Sequence, residues 1–82
     1  MKPRILLLGR PGCGLCEEFE AELLAHFGVD SFEIEHVDID GHAEWRTRYG
    51  LKIPVLLTPR GELLCATRFD AAELELLLKA VV

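Results

Sequence analysis

Long hydrophobic runs, positive charge and cysteine are all scarce in this 82-residue chain, and each shortage excludes something. No unbroken apolar stretch is longer than the four residues of Ile5-Leu6-Leu7-Leu8, against the ~20 residues that a membrane-spanning helix needs. Those four residues are also too short for the apolar core of a secretory leader, and no small-residue cleavage site follows them. The expectation is a cytoplasmic protein with no membrane association. Nine Lys and Arg stand against fourteen Asp and Glu, for a formal net charge of −5. Neutralising phosphates needs a basic face, so nucleic acid is excluded as a partner. The three cysteines, Cys13, Cys16 and Cys65, are too sparse for the disulfide framework of a small secreted domain. Repeats, low-complexity tracts and linkers are absent as well, so residues 1–82 are read as one domain, and a monomer is the default.

What the chain does carry is a globular composition, 50% hydrophobic and 28% charged, with its charge unevenly distributed. Residues 1–10 hold three bases and no acid, residues 11–45 hold ten acids and no Lys or Arg, and residues 46–82 hold six bases and four acids. One stretch of the surface is therefore acidic, with the bases gathered elsewhere.

Periodicity sets the element order. Residues 4–8 are apolar at nearly every position, the pattern of a strand buried on both faces. From Leu15 the spacing changes: Leu15, Cys16, Phe19, Leu23, Leu24 and Phe27 recur at three- and four-residue steps with glutamates between them. That spacing predicts an amphipathic helix of about three turns, closed by Gly28. Residues 32–37 alternate as a second strand of mixed exposure. A short helix follows at Ala43–Tyr49, with Trp45 and Tyr49 four apart on one packing face, and Gly50 ends it. Residues 54–57 and 63–67 form a hairpin about the turn Thr58-Pro59-Arg60-Gly61, where proline suits the second position. Asp70 and Glu73 are spaced to cap a last helix whose buried face carries Leu74, Leu77, Leu78 and Val81. The order β-α-β-α-β-β-α predicts an α/β domain: one four-stranded mixed sheet packed by three helices, with its first two strands parallel.

Cys13 and Cys16 form a C-x-x-C motif at the strand-to-helix junction, behind a tight Pro11-Gly12 loop. Backbone N–H groups at a helix start lack intrahelical partners and the helix dipole is positive there, so both favour a thiolate at Cys13. Arg10 adds a positive charge three residues earlier, and Glu17 and Glu18 oppose it. Cys16 lies one turn on, sharing the face of Phe19 and Leu23, and is expected to be buried and protonated when reduced. An exposed activated sulfur beside a shielded one suits disulfide exchange: the first attacks and the second resolves the mixed disulfide. In this context the motif points to redox chemistry rather than to metal or structural use.

The loop Gly9-Arg10-Pro11-Gly12-Cys13-Gly14-Leu15-Cys16 resembles the active-site loop of glutaredoxins, within the thioredoxin superfamily. Val37-Asp38-Ile39-Asp40 is similar to the end of their second strand. Tyr49-Gly50-Leu51-Lys52-Ile53-Pro54-Val55 resembles the approach to their cis-proline, and Asp70 falls at the start of their last helix. The resemblance spans essentially the whole chain and is greatest to compact bacterial glutaredoxin-like proteins. It implies the thioredoxin-like fold with sheet order 2-1-3-4, Cys13 as nucleophile and Cys16 as resolving thiol. It also implies a cis Ile53–Pro54 bond facing the cysteines, with the Ile53 main chain pairing with substrate. Substrate contact then falls to Arg10, Gly14, Leu15, Ile53, Pro54 and Asp70. No bound cofactor or metal is required; glutathione is a candidate co-substrate, and the partner is a protein or small-molecule disulfide or thiol. The chain departs from the family where Gly14-Leu15 replaces a Pro-Tyr pair and Lys52-Ile53 replaces Thr-Val. It departs again where Thr67-Arg68-Phe69 replaces a Gly-Gly pair, which puts side chains in the approach used by the γ-glutamyl group.

Two other functions stay open on these residues: a thioredoxin-fold binding module that docks without turnover, and a glutathione-dependent iron–sulfur carrier bridged between two chains beside Gly14. A zinc site needs four ligands, and His26, His36 and His42 lack ligand spacing to Cys13; they read as surface or helix-end residues. Gly9, Gly12 and Gly14 fail the phosphate-loop and dinucleotide patterns. Cys65 reads as a small core residue. Arg46, Arg48 and Lys52 read as a solvated face that could also attract an acidic thiol partner.

Overall fold

The computed structural model describes the backbone of residues 2–81 and the side chains of residues 2–77. Strand β1 (Arg4–Gly9) explains the rest of the architecture. Side chains of a strand alternate between two faces, so a strand covered on both must be apolar at each position. Ile5, Leu6, Leu7 and Leu8 are all buried. Ile5 and Leu7 join one core with Phe19, Leu23, Leu56 and Leu74, whereas Leu6 and Leu8 join a second with Val37, Ile39, Tyr49 and Val55.

β2 (Glu33–Asp38) runs parallel to β1 after helix α1 (Gly14–Phe27). A 3-10 turn (Ile39–Gly41) and helix α2 (Ala43–Tyr49) lead to the antiparallel hairpin β3 (Val55–Leu57) and β4 (Leu63–Ala66), and helix α3 (Ala71–Val81) closes the order. The sheet order is β2-β1-β3-β4. This is the thioredoxin-like α/β arrangement that the resemblance implied. The core memberships put α1 and α3 over the Ile5 face and α2 over the Leu6 face.

Local signals hold where the chain itself supplies the partner. The Gly28 N–H donates to the Leu24 carbonyl at 2.7 Å, the Gly61 N–H to the Thr58 carbonyl at 2.9 Å, and the Glu73 N–H to Asp70 Oδ1 at 3.1 Å. Leu74 is fully buried on α3 and Leu77 half-buried; the side chains of Leu78 and Val81 lie outside the described residues.

Three expectations need correction. Leu15 leaves the buried stripe of α1 and is 59% exposed, so the apolar spacing of the first turn does not continue into the core. Phe19 and Leu23 carry the burial instead. β4 stops at Ala66 because Thr67 turns out of the ladder at φ 69°. Phe69, expected to crowd a surface approach, turns inward: its ring meets Phe19 edge-on at 5.8 Å and Phe27 at 6.4 Å. Burying an aromatic ring outweighs leaving it in water.

Candidate functional site

β1 delivers the chain to a turn in which the Cys13 N–H donates to the Arg10 carbonyl at 3.2 Å. Gly12 takes φ 77°, a left-handed conformation that favours glycine. Cys13 then serves as the N-cap of α1, with extended backbone and its Sγ accepting from the Cys16 N–H at 3.1 Å. Sulfur thus takes the capping role usually filled by a side-chain oxygen. Cys13 and Cys16 are joined as a disulfide with their Cα atoms 5.2 Å apart, inside the ordinary range for such bonds.

Both cysteines are half-buried, a correction to the expectation that Cys16 would be fully shielded. A cleft of about 360 Å³ opens beside them, lined among others by Gly9, Glu17, Glu20 and His36. Gly9 backs the Cys16 sulfur. A Cβ there would stand 2.9 Å from Cys16 Sγ and 3.4 Å from Cys16 Cβ, so the missing side chain makes room for the sulfur. Gly14 faces open space on the first turn, next to exposed Leu15.

Arg10 is committed elsewhere. Its Nε donates to both Asp40 carboxylate oxygens, at 3.0 and 3.2 Å, and its Nη1 to the Gly50 carbonyl at 3.3 Å. Asp40 therefore offsets the charge that the sequence set near Cys13. The guanidinium also ties the loop before the cysteines to the segment leading into Pro54.

Ile53–Pro54 is cis. Val55 pairs with Leu8, so Pro54 comes alongside Gly9, at the sheet end from which the cysteine loop departs. Ile53 is half-buried, and its N–H and C=O have no hydrogen-bond partner among the described residues. Thr67 closes on both sides of it, its N–H donating to the Pro54 carbonyl at 2.7 Å and its Oγ1 to the Lys52 carbonyl at 2.9 Å. Asp70 is exposed, and its carboxylate caps α3. Cysteines, Gly14, Leu15, Ile53 and Pro54 thus gather at one sheet end, whereas Arg10 and Asp70 are held by contacts of their own.

The remaining candidates serve packing and surface pairing. His26 meets Glu75 and His36 meets Glu20, each at 2.7 Å, and His42 lies against Trp45 with ring centroids 5.2 Å apart. Cys65 is buried, donates to the Arg68 carbonyl at 2.9 Å, and has its thiol pKa pushed up by burial. Among the described residues no three His, Cys, Asp or Glu side chains gather as a metal-ligand set, and no helix is long and apolar enough to cross a membrane.

Three positions packed around the cysteines and Ile53 were not singled out by the sequence: Gly9 behind Cys16, Asp40 under Arg10, and Thr67 behind Ile53. Gly9 and Asp40 entered as members of stretches that resemble the family, and Thr67 only as a departure from its pattern.

A parallel-started mixed sheet with a C-x-x-C disulfide capping its first helix, beside a cis-proline, defines a thioredoxin-superfamily protein with a dithiol–disulfide centre. Residues 4–79 match the model of the glutaredoxin-like domain (DUF836), and the chain belongs to that family. It is similar to the solution structure of protein Ne2328 from Nitrosomonas europaea at 29% identity and a TM-score of 0.81, covering 94% of this chain and 92% of that one. It is also similar to the X-ray structure of target protein XcR50 from X. campestris at 34% identity and a TM-score of 0.69, covering 93% and 96%. No curated protein matches the sequence.

Proposed function

We propose that this protein is a thiol–disulfide oxidoreductase acting through Cys13 and Cys16. The observation that carries the proposal is the disulfide at the start of α1, in which Cys13 Sγ accepts a backbone hydrogen bond at the positive end of the helix. In the reduced protein the same N–H and the helix dipole favour a thiolate on Cys13. That thiolate attacks one sulfur of a substrate disulfide, forming a Cys13–substrate disulfide and expelling the other sulfur as a thiolate that takes up a proton. Cys16 then loses its proton and attacks Cys13 Sγ. The second substrate sulfur leaves as a thiolate, and the Cys13–Cys16 disulfide forms. The substrate gains two electrons and the protein loses them; two equivalents of an external thiol, leaving as their own disulfide, reverse the change.

Gly14, Leu15, Ile53 and Pro54 supply the surface on which the substrate lies, and Ile53 supplies free main-chain groups for an extended backbone. Arg10 and Asp70 contribute from the rim. The substrate is a protein or small-molecule disulfide, no bound cofactor is needed, and glutathione is a fitting reductant, in a cytoplasmic setting.

A redox titration of the purified protein in glutathione buffers, read by intact mass, tests this. The expected result is reversible loss of the two thiol hydrogens at a potential between about −120 and −270 mV, the span of known exchangers. Cys16→Ser should accumulate a glutathione adduct on Cys13. A pair that stays reduced throughout, or is locked as a disulfide below about −300 mV, overturns the proposal.

A further inference from the structure

Beyond Ala66 the backbone turns sharply. The Arg68 N–H closes on the Ala66 carbonyl at 2.7 Å, which makes Thr67 the centre of a three-residue turn, and its φ of 69° has the sign of the rarer, strained form. A β-branched residue is ill suited to positive φ, whereas glycine sits there freely. Among the described residues Thr67 is the one non-glycine with positive φ.

The hydroxyl accounts for a threonine at this place. Val55 pairs with Ala66, so Thr67 stands across from Pro54, and its N–H continues the ladder onto the Pro54 carbonyl. The next donor along that ladder would be the N–H of residue 69, reaching the Lys52 carbonyl. The turn carries the chain away, and Thr67 Oγ1 takes that bond instead, at 2.9 Å. On the other side, the Lys52 N–H donates to the Tyr49 carbonyl at 2.8 Å. The residues flanking Ile53 are thus tied down while its own N–H and C=O stay open. A residue before proline is biased to extended backbone, and one held in this way is prepared to pair with an extended peptide.

We propose that Thr67 is a positioning residue for peptide substrates: its hydroxyl holds Lys52 so that the Ile53 main chain pairs with a disulfide-bearing peptide and brings the peptide sulfur to Cys13. The inference rests on the oxidoreductase function proposed above. It separates two classes of substrate, because a small disulfide without a peptide backbone has nothing to pair with Ile53.

The test measures turnover of a disulfide-bearing peptide and of hydroxyethyl disulfide by wild type, Thr67→Val, Thr67→Ser and Thr67→Gly. Thr67→Val keeps the shape and backbone but loses the hydroxyl. It should raise KM for the peptide by about three- to tenfold, the scale of one hydrogen bond, leaving kcat and the hydroxyethyl disulfide rate unchanged. Thr67→Ser should restore the peptide KM. Thr67→Gly should melt no lower than wild type and yet share the KM defect, which separates positioning from folding. An unchanged peptide KM in Thr67→Val, an equal loss on both substrates, or failure of Thr67→Ser to rescue overturns the role of Thr67 alone. A wild type that turns over neither disulfide overturns the oxidoreductase proposal, and this one with it.

Discussion

Replacing Gly9 with alanine should make the Cys13–Cys16 disulfide easier to reduce. Gly9 lies in β1 without a positive φ, so alanine adds no backbone strain. Its effect is steric: the new methyl stands 2.9 Å from Cys16 Sγ, well inside the ~3.5–4.0 Å at which non-bonded carbon atoms pack. In the oxidised protein the sulfur is bonded on both sides and cannot move without dragging the N-cap residue of α1. Overpacking of this kind costs about 1–3 kcal/mol. In the reduced protein the thiol is the free end of a short side chain with a cleft beside it, and rotation relieves most of the contact. A differential cost of about 1–2 kcal/mol, at 30 mV for each 1.4 kcal/mol, raises the potential by about 20–45 mV. Titration against a dithiol buffer, read by alkylation and intact mass, measures this shift. Melting the two forms separately checks its origin: the oxidised variant should lose about 4–24 °C relative to the oxidised wild type, and the reduced variant clearly less. Equal destabilisation of both forms with an unmoved potential would refute the argument that the Gly9 gap serves the oxidised sulfur.

The core offers a second measurement. Leu23 is fully buried against the Ile5 face, so Leu23→Ala should lower urea stability by about 2–5 kcal/mol, and a loss under about 1 kcal/mol would contradict the packing described. The third concerns Cys65. Burial is the main cause that raises its thiol pKa above the ordinary 9.0, with the Glu73 carboxylate adding to it. A raised folded pKa means that the associated stability is complete below the ordinary thiol value and lost as pH rises through the folded one. Wild-type stability should therefore fall more steeply above about pH 9 than that of Cys65→Ala; parallel curves would show that Cys65 is not the group responsible.

Much of this protein can be read along the chain because its causes are local. Four successive apolar residues specify a strand covered on both faces, and β1 is that strand. Glycine after Phe27, proline in the turn at 58–61 and the Asp70–Glu73 spacing act through partners within a few positions, and each forms the bond that its chemistry implies. The C-x-x-C motif belongs here too. A helix start is evident from spacing, and with it the unpaired N–H that Cys13 Sγ accepts. The cis bond at Pro54 rested on family likeness alone, since nothing in Ile53-Pro54 itself departs from an ordinary trans pair.

Tertiary structure decided which residues stand behind the sulfurs and beside the proline. Arg10 finds Asp40 thirty residues away and Thr67 finds Lys52 fifteen away. Gly9 matters because α1 folds back until Cys16 lies against it. Leu15 follows the apolar spacing of its helix and is nonetheless exposed, while Cys16 beside it is half-buried. Periodicity and capping report the environment a residue prefers within its own element. Strand register and helix placement, which depend on the packing of all elements at once, determine the neighbour it meets.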